Sequence, residues 1–588
     1  KEISMKVQEK IKNLEWLRKE IIGRNMLFET CYGKKPLVYA DYTASGRAVN
    51  FIENYLTDLY KYYANTHTED DFTGKTMTTL MHDAEKEIKR MVNAGSSGKI
   101  IFSGTGATGA ISKLQQIIGV YWPPTTKKRI KDYLREPLEG ASDQKKECHT
   151  GFLNKIEGSR PMVFVGPYEH HSNEVMWRET YCDVVEIPLN EAGLIDLDTL
   201  DKELADPEYA EREKIGSFSA ASNVSGVRTD VYEVARILHK HGAIACFDFA
   251  ACAPYIEINM NRDDISYFDA IYLSPHKFIG GPGSSGILVF NERIYKKDLP
   301  PTVAAGGTVD FVTLDREHYI EDIETREKPG TPGIMQAIKV ALAFQLKEKV
   351  GVQTIEEIEK YYLTKFYDYY KNNEKIQFYG PIDPEIKLNI IPFNIVHKER
   401  VFHHKFITKL INDLFGIQTR AGCSCAGPYG HRLLGISKEI SRYYQCAIGV
   451  DKYSGVKPGW VRLNFHYTLS EIEFNYIIQA LDFVIENADL FLQEYNFDFS
   501  TGDWFHVEHK RSKRLMTLDL ESVMKTPKYI QKDCGDCSKI FADRLKFATK
   551  KATELKPVEY YPTFNKSLEN LMFFYVKNYY NLKGMSCG

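Results

Sequence analysis

The sequence predicts an α/β protein: a large domain on a mostly parallel sheet, a smaller α+β domain, and a C-terminal extension. Three observations lead there. Short apolar runs at 100–102, 162–166, 243–249 and 270–273 alternate with helix-patterned segments, as in repeated β-α units. Several runs end in small or polar residues, at the carboxyl edge where open α/β sheets bind ligands. Beyond Phe290 the alternation gives way to a loop-rich stretch and then to longer helices with a few strands.

Composition sets the class. The 588 residues are 43% hydrophobic and 26% charged, ordinary for a globular chain long enough for several domains. With 76 basic and 79 acidic side chains the net charge is −3, which carries no footprint for nucleic acid or an anionic membrane. No run approaches the ~18 apolar residues of a membrane span, and the charged start does not resemble a secretory signal. Eleven cysteines lie scattered without a paired framework. A soluble enzyme of a reducing, cytoplasmic compartment is therefore expected.

Residues 5–22 place Val7, Ile11, Leu14, Leu17 and Ile21 three and four apart, an amphipathic helix stopped by Gly23. Residues 1–30 are expected to pack on the small domain. A short strand at 37–40 runs into the polar turn Asp41-Tyr42-Thr43-Ala44-Ser45-Gly46. His67 follows a tyrosine-rich helix, either as a surface group or as part of a site. Strand 100–102, the turn Ser103-Gly104-Thr105-Gly106-Ala107-Thr108-Gly109 and a helix together make an anion site. Backbone N–H groups at the helix start point outward there, and small side chains let a phosphate approach. Neither a Walker lysine nor the full dinucleotide fingerprint is present.

Residues 121–160 are polar and lysine-rich, which predicts a surface insertion. Strand 162–166 ends at Glu169-His170-His171-Ser172-Asn173, where the His170 ring can stack on an aromatic cofactor or lie in a surface loop. Asp248 is an acid closing an apolar run. Its burial is costly without a cation or strong donor, and a protonated pyridine nitrogen is one such partner.

The stretch 269–290, DAIYLSPHKFIGGPGSSGILVF, sets Lys277 between two buried strands. Desolvation lowers an ammonium's pKa and frees the amine as a nucleophile, able to form a Schiff base with an aldehyde cofactor. Ser274 and His276 beside it can bond a phosphate. Further on, Arg420-Ala421-Gly422-Cys423-Ser424-Cys425 puts two thiols beside an arginine, a setting that favours thiolate; half a metal site or inert thiols are the alternatives. Arg462 lies in a strand, as a surface cation or as a fork for a carboxylate. Cys534 and Cys537 form a lone Cys-x-x-Cys with a metal or redox role as one option.

In their order these stretches resemble the class V aminotransferase group of pyridoxal-phosphate enzymes, with cysteine desulfurases and selenocysteine lyases nearest, over roughly residues 30–490. The resemblance implies the aspartate aminotransferase-like fold type I and pyridoxal 5'-phosphate as cofactor, with no metal. It implies a large domain over 31–333, a small one over 334–495 with the cysteine loop, and an unassigned region over 496–588. It implies that Gly106, Ala107, Ser274 and His276 bind the cofactor's phosphate, that His170 stacks on its ring, and that Asn223 meets its phenolic oxygen. Asp248 would pair with the ring nitrogen, Lys277 would be the Schiff-base lysine, and Thr331 would reach the partner subunit's phosphate in a homodimer. Cys425 would be the catalytic thiol, with Arg462, Arg420, Asn173 and His67 around the amino-acid substrate. A sulfur-acceptor protein is a further expected partner. Two departures stand out: Ala251 takes the place of the family's glutamine, and Cys423-Ser424 that of its histidines. The implied activity is L-cysteine to L-alanine with sulfur held on Cys425. The alternatives are a selenocysteine lyase, a class V aminotransferase or C–S lyase that does not use Cys425, and a non-enzymatic scaffold for sulfur-transfer partners.

Overall fold

Apolar runs without alternation must be covered on both faces, and that is how they fold in the computed structural model. It describes residues 2–66, 68–134, 142, 158–508, 518–525, 537–557, 568, 571–575 and 579–580. Met162–Val165 and Ala270–Leu273 are buried at every position. Each such Val, Leu, Ile or Phe side chain contributes about 1.5–3 kcal/mol on leaving water.

The chain divides into two units. The sheet unit comprises Ser45–Ser222 and Val227–Val352. Its strands are β1 (Gly98–Ser103), β2 (Met162–Val165), β3 (Asp183–Glu186), β4 (Lys214–Ser219), β5 (Ile244–Asp248), β6 (Ala270–Leu273) and β7 (Gly286–Asn291). They form one seven-stranded sheet in the order β1-β7-β6-β5-β4-β2-β3. Pairing is parallel from β6 through β3, whereas β7 runs antiparallel to both of its neighbours. The reason is local: β7 follows β6 across a glycine-rich turn too short for a crossover helix. Leu114, Val163, Trp177, Tyr272, Leu288 and Phe290 belong to one buried cluster of this unit.

The second unit comprises Lys1–Ala44, Asn223–Gly226 and Gln353–Gly588. The boundaries differ from those expected at 31, 334 and 496, for reasons of pairing. Val38–Tyr39 pairs in parallel with Ile417–Gln418, which draws residues 31–44 here. The helix Ile334–Val350 belongs to the sheet unit, where Lys347 Nζ donates to Ala253 O (2.7 Å). The region after 495 is built in: Phe574–Tyr575 adds to strand Arg400–Phe402, and Phe541 stacks on Tyr476 at 4.0 Å. The helix Glu471–Phe491 opens on a Ser470/Glu473 capping box, a device worth about 1 kcal/mol.

The amphipathic start is two helices, Glu2–Asn13 and Glu15–Glu20, broken at Leu14. Lys10 pairs with Glu357 (2.7 Å) and Arg18 Nε donates to Thr468 O (2.8 Å). The expected insertion at 121–160 begins with a helix, Pro124–Leu134; residues 135–141 and 143–157 lie outside the described residues. The stretch after Thr308, read as loop, holds a hairpin of Val309–Val312 with Glu317–Tyr319. Among the described residues no helix is long and apolar enough to cross a membrane.

Candidate active site

In the sheet unit the predicted residues gather beyond the carboxyl ends of β5 and β6. Lys277 closes the short 3₁₀ turn Pro275–Lys277 that follows β6. Gly46 N donates to His276 O (2.9 Å), and a Cβ on Gly46 would lie 1.9 Å from Phe278 O, so a side chain there would unseat the lysine turn. On the neighbouring strand Asp248 stands opposite Tyr272 in register and is 5% exposed. Burial raises its pKa, against which work the Ala250 N–H (2.8 Å to Oδ1) and the Lys277 ammonium. A buried carboxyl held this way suits a cationic ring nitrogen, which would restore its charged form.

The anion cradle lies at the start of the helix Gly106–Ile117, whose N-cap residue Thr105 makes no side-chain capping bond. Ala107 N donates to Ser274 Oγ (2.9 Å). Gly106 has φ +59°, and a Cβ on it would meet Ser274 Oγ at 2.9 Å and the His276 ring at 3.3 Å. The absence of a side chain at Gly106 lets Ser274, His276 and the helix-start amides come close together, the polar groups a phosphate needs. Burial, and secondarily the Lys277 charge, push the His276 pKa down to about 4, so its ring is neutral at pH 7. His170 Nδ1 accepts the Ser172 N–H (3.2 Å), which leaves the proton of the neutral ring on Nε2. Ser172 Oγ in turn lies 2.6 Å from Thr108 Oγ1 on the helix start. These residues fit pyridoxal phosphate: a helix start with Ser274, His276 and small residues for its phosphate, a buried acid for its ring and a lysine for its aldehyde.

Asn173 is corrected by the structure. It was expected to bind substrate, yet it is fully buried and its amide is spent. Nδ2 donates to Glu169 Oε2 (2.7 Å) and Ser217 O (3.1 Å), while Oδ1 accepts from Trp177 Nε1 (3.1 Å) and Ser217 Oγ (2.6 Å). Glu169, also buried, accepts further N–H groups from Gly166 and Ser219; burial nevertheless pushes its pKa up to about 7. The pair ties the His170 turn to β4. Asn173→Ala is expected to cost about 2–4 kcal/mol, seen as a lowered Tm, because three buried partners lose a bond. The KM for an amino acid should stay within about twofold, since Asn173 has no bonding capacity left for one.

The second unit carries a cationic centre. Arg462, 4% exposed in strand Trp460–Leu463, donates from Nη1 to Asn223 O (2.9 Å) and from Nη2 to Asp41 Oδ1 (3.0 Å). Arg420 Nε donates to the other oxygen of Asp41, Oδ2 (2.8 Å). Arg462 Nε is buried with no partner among the described residues, an open donor for a carboxylate. The Asn223 side chain donates through Nδ2 to Ser424 O (2.7 Å), and its buried Oδ1 is also without a partner there.

That bond pins the cysteine turn. Ala426 N donates to Cys423 O (3.2 Å) across Ser424 and Cys425, whose φ values are +54° and +55°. Turns with two left-handed central residues ordinarily use Gly or Asn there, and other residues cost about 1–2 kcal/mol each. Cys425 is exposed and Cys423 half-buried, both free thiols. Strain of this kind is characteristic of functional turns.

Of the remaining expected residues, Thr331 is exposed and its Oγ1 accepts from Asn65 Nδ2 (3.2 Å). His67 and Cys534 lie outside the described residues. Cys537 is disulfide-bonded, which the scattered cysteine spacing did not suggest. Among the described residues no group of three or more His, Cys, Asp or Glu could hold a metal. The sequence passed over Asp41 as one member of a polar turn; its role shows only through arginines that are distant in sequence.

A family model described as Aminotransferase class-V matches residues 140–443. A probable cysteine desulfurase of Halalkalibacterium halodurans is 29% identical over 398 residues, covering 67% of this chain and 85% of the relative. One from Staphylococcus aureus is 28% identical over 433 residues, 73% of this chain and 89% of its own. In fold the chain is similar to a cysteine desulfurase from Thermococcus onnurineus NA1, with TM-score 0.60 at 21% identity over 80% of this chain and 98% of that one. It is also similar to the cysteine desulfurase CsdA from Escherichia coli, with TM-score 0.56 at 19% identity over 76% and 94%.

Proposed function

The chain belongs to the class V aminotransferase family, and from that premise we propose that it is a pyridoxal-phosphate-dependent cysteine desulfurase. L-Cysteine is its substrate, L-alanine its product, and Cys425 receives the sulfur as a persulfide. The observation that carries the step from family to activity is the exposed Cys425 thiol, held at positive φ on a pinned turn. The names of the curated relatives support the same activity.

Each half of the protein has its task on this reading. Lys277 would hold the cofactor covalently; Ser274, His276, Gly106 and Ala107 would bind its phosphate, His170 would lie against its ring and Asn223 would meet its phenolic oxygen. When bound, pyridoxal phosphate supplies an electron sink for the charge that develops at the substrate Cα. Asp248 sustains that sink by favouring a proton on the ring nitrogen. Arg462 and Arg420 orient the substrate carboxylate. The Lys277 amine takes the Cα proton and His170 holds a mobile one on Nε2. The Cys425 thiolate attacks the substrate sulfur: an S–S bond forms, the C–S bond breaks, and the carbon fragment leaves as alanine after protonation.

A homodimer is part of the proposal. Phe72, Tyr60 and Tyr55 lie exposed on the sheet unit, as do Phe311 and Leu314 on the hairpin, and exposed apolar clusters mark interfaces. The partner subunit would receive Thr331 at its phosphate. The exposed thiol suits delivery to a sulfur-acceptor protein, and the seven free cysteines among the described residues suit a reducing, cytoplasmic setting. Incubation with L-cysteine and a reductant tests the activity: alanine and sulfide should appear in equal amounts. Pyruvate in place of alanine would point to a C–S lyase instead.

A further inference from the structure

We propose that Asp41 sets the charge this carboxylate site accepts, so that it takes amino acids with one carboxylate and rejects dianionic ones. The inference rests on the reading above, in which Arg462 and Arg420 bind the substrate carboxylate.

A single carboxylate would be enough to neutralise buried Arg462. Asp41 is itself only 7% exposed and bonds Arg462 at 3.0 Å. Yet a second guanidinium, that of half-exposed Arg420, is held 2.8 Å from the same carboxylate. The largest charged influences on Arg462 are Asp41, which stabilises its cation, and Arg420, which opposes it. Two cations and one anion leave a single positive charge. Its bonding capacity is open too: among the described residues the Arg462 Nε–H is unpaired and Arg420 is engaged through Nε alone.

Asp41 is fixed in that position. Ala40 N donates to Gln418 O (2.9 Å) and Asn464 N to Ala40 O (3.0 Å), while Tyr39 Oη and Ala44 N both donate to Asp41 O (3.1 and 3.0 Å). The Asp41 main chain is thus held in place, and its carboxylate is held between the two guanidiniums. One incoming carboxylate completes the charge balance. A second anionic group on the ligand would be left facing Asp41 without a cation, a repulsion that specificity sites use against wrong ligands.

The test is calorimetric titration of the cofactor-loaded protein with L-alanine and L-aspartate, on wild type, Asp41→Asn, Arg420→Gln and the double variant. Wild type should bind alanine and disfavour aspartate. Asp41→Asn should shift the aspartate-to-alanine affinity ratio toward aspartate by about tenfold, the effect of one unopposed charge in a partly buried site. Arg420→Gln should weaken alanine by about tenfold. The double variant, with one net positive charge again, should return toward the wild-type ratio. Ligand size contributes equally in all four proteins, so the change in ratio reads charge.

A ratio that does not move in Asp41→Asn, or losses that simply add in the double variant, would show a structural salt bridge and overturn the proposal. So would failure of alanine to bind wild type. If Asp41→Asn does not fold, Arg420→Gln decides, since undiminished alanine affinity in it contradicts the charge count. Selectivity that follows charge in a protein that does not desulfurate cysteine would remove the proposed activity alone. Turnover with unmoved selectivity would remove this inference alone.

Discussion

Lys277→Ala is expected to lower turnover of L-cysteine by about 10³-fold or more, because the residue both anchors the cofactor and serves as the base. A positioned base alone is worth about 10²–10⁴-fold. Borohydride reduction should fix the cofactor to the wild-type chain and leave it removable from the variant. Loss of anchoring without loss of turnover would mean that another amine is the base. The fold should survive, since the turn Pro275–Lys277 is held by backbone bonds, Gly46 N to His276 O among them.

Cys425→Ala should be as severe for a different reason. With no thiolate to accept sulfur, formation of alanine and sulfide should fall by at least about 10³-fold, the scale on which loss of a nucleophile is felt. The cofactor's absorbance should be unchanged, because Cys425 is not among the residues proposed to hold the cofactor. Cys425→Ser should match it, as a hydroxyl is far less nucleophilic toward sulfur at neutral pH. Activity that survives either change would favour an aminotransferase or C–S lyase on the same frame.

How much of this could be read from the sequence depended on whether a residue's partners were near it in the chain. Lys277 and Asp248 were legible because each interrupts an apolar run, and an ionisable group in such a place needs a reason. The cradle at Gly106 was legible as strand, small-residue turn and helix. Asp41 was not, because its meaning comes from Arg420 and Arg462, which the fold brings to it from the far end of the chain. Asn173 was misread for the opposite reason. Its place in a motif said nothing about the direction of its amide, which points inward to Glu169, Ser217 and Trp177. The hairpin Val309–Val312 with Glu317–Tyr319 escaped because its apolar residues face solvent and give no buried periodicity. The C-terminal region looked separate in composition, yet strand pairing and the Phe541–Tyr476 stack join it to the second unit.

The central claim is that sulfur leaves L-cysteine for Cys425. It is tested most directly by brief exposure to L-cysteine without reductant, alkylation, and mass spectrometry of the peptide that carries Cys423 and Cys425. The account predicts one additional sulfur atom on Cys425 in the wild-type protein and none in Lys277→Ala. Alanine formed in the wild type while that peptide remains unmodified would contradict it.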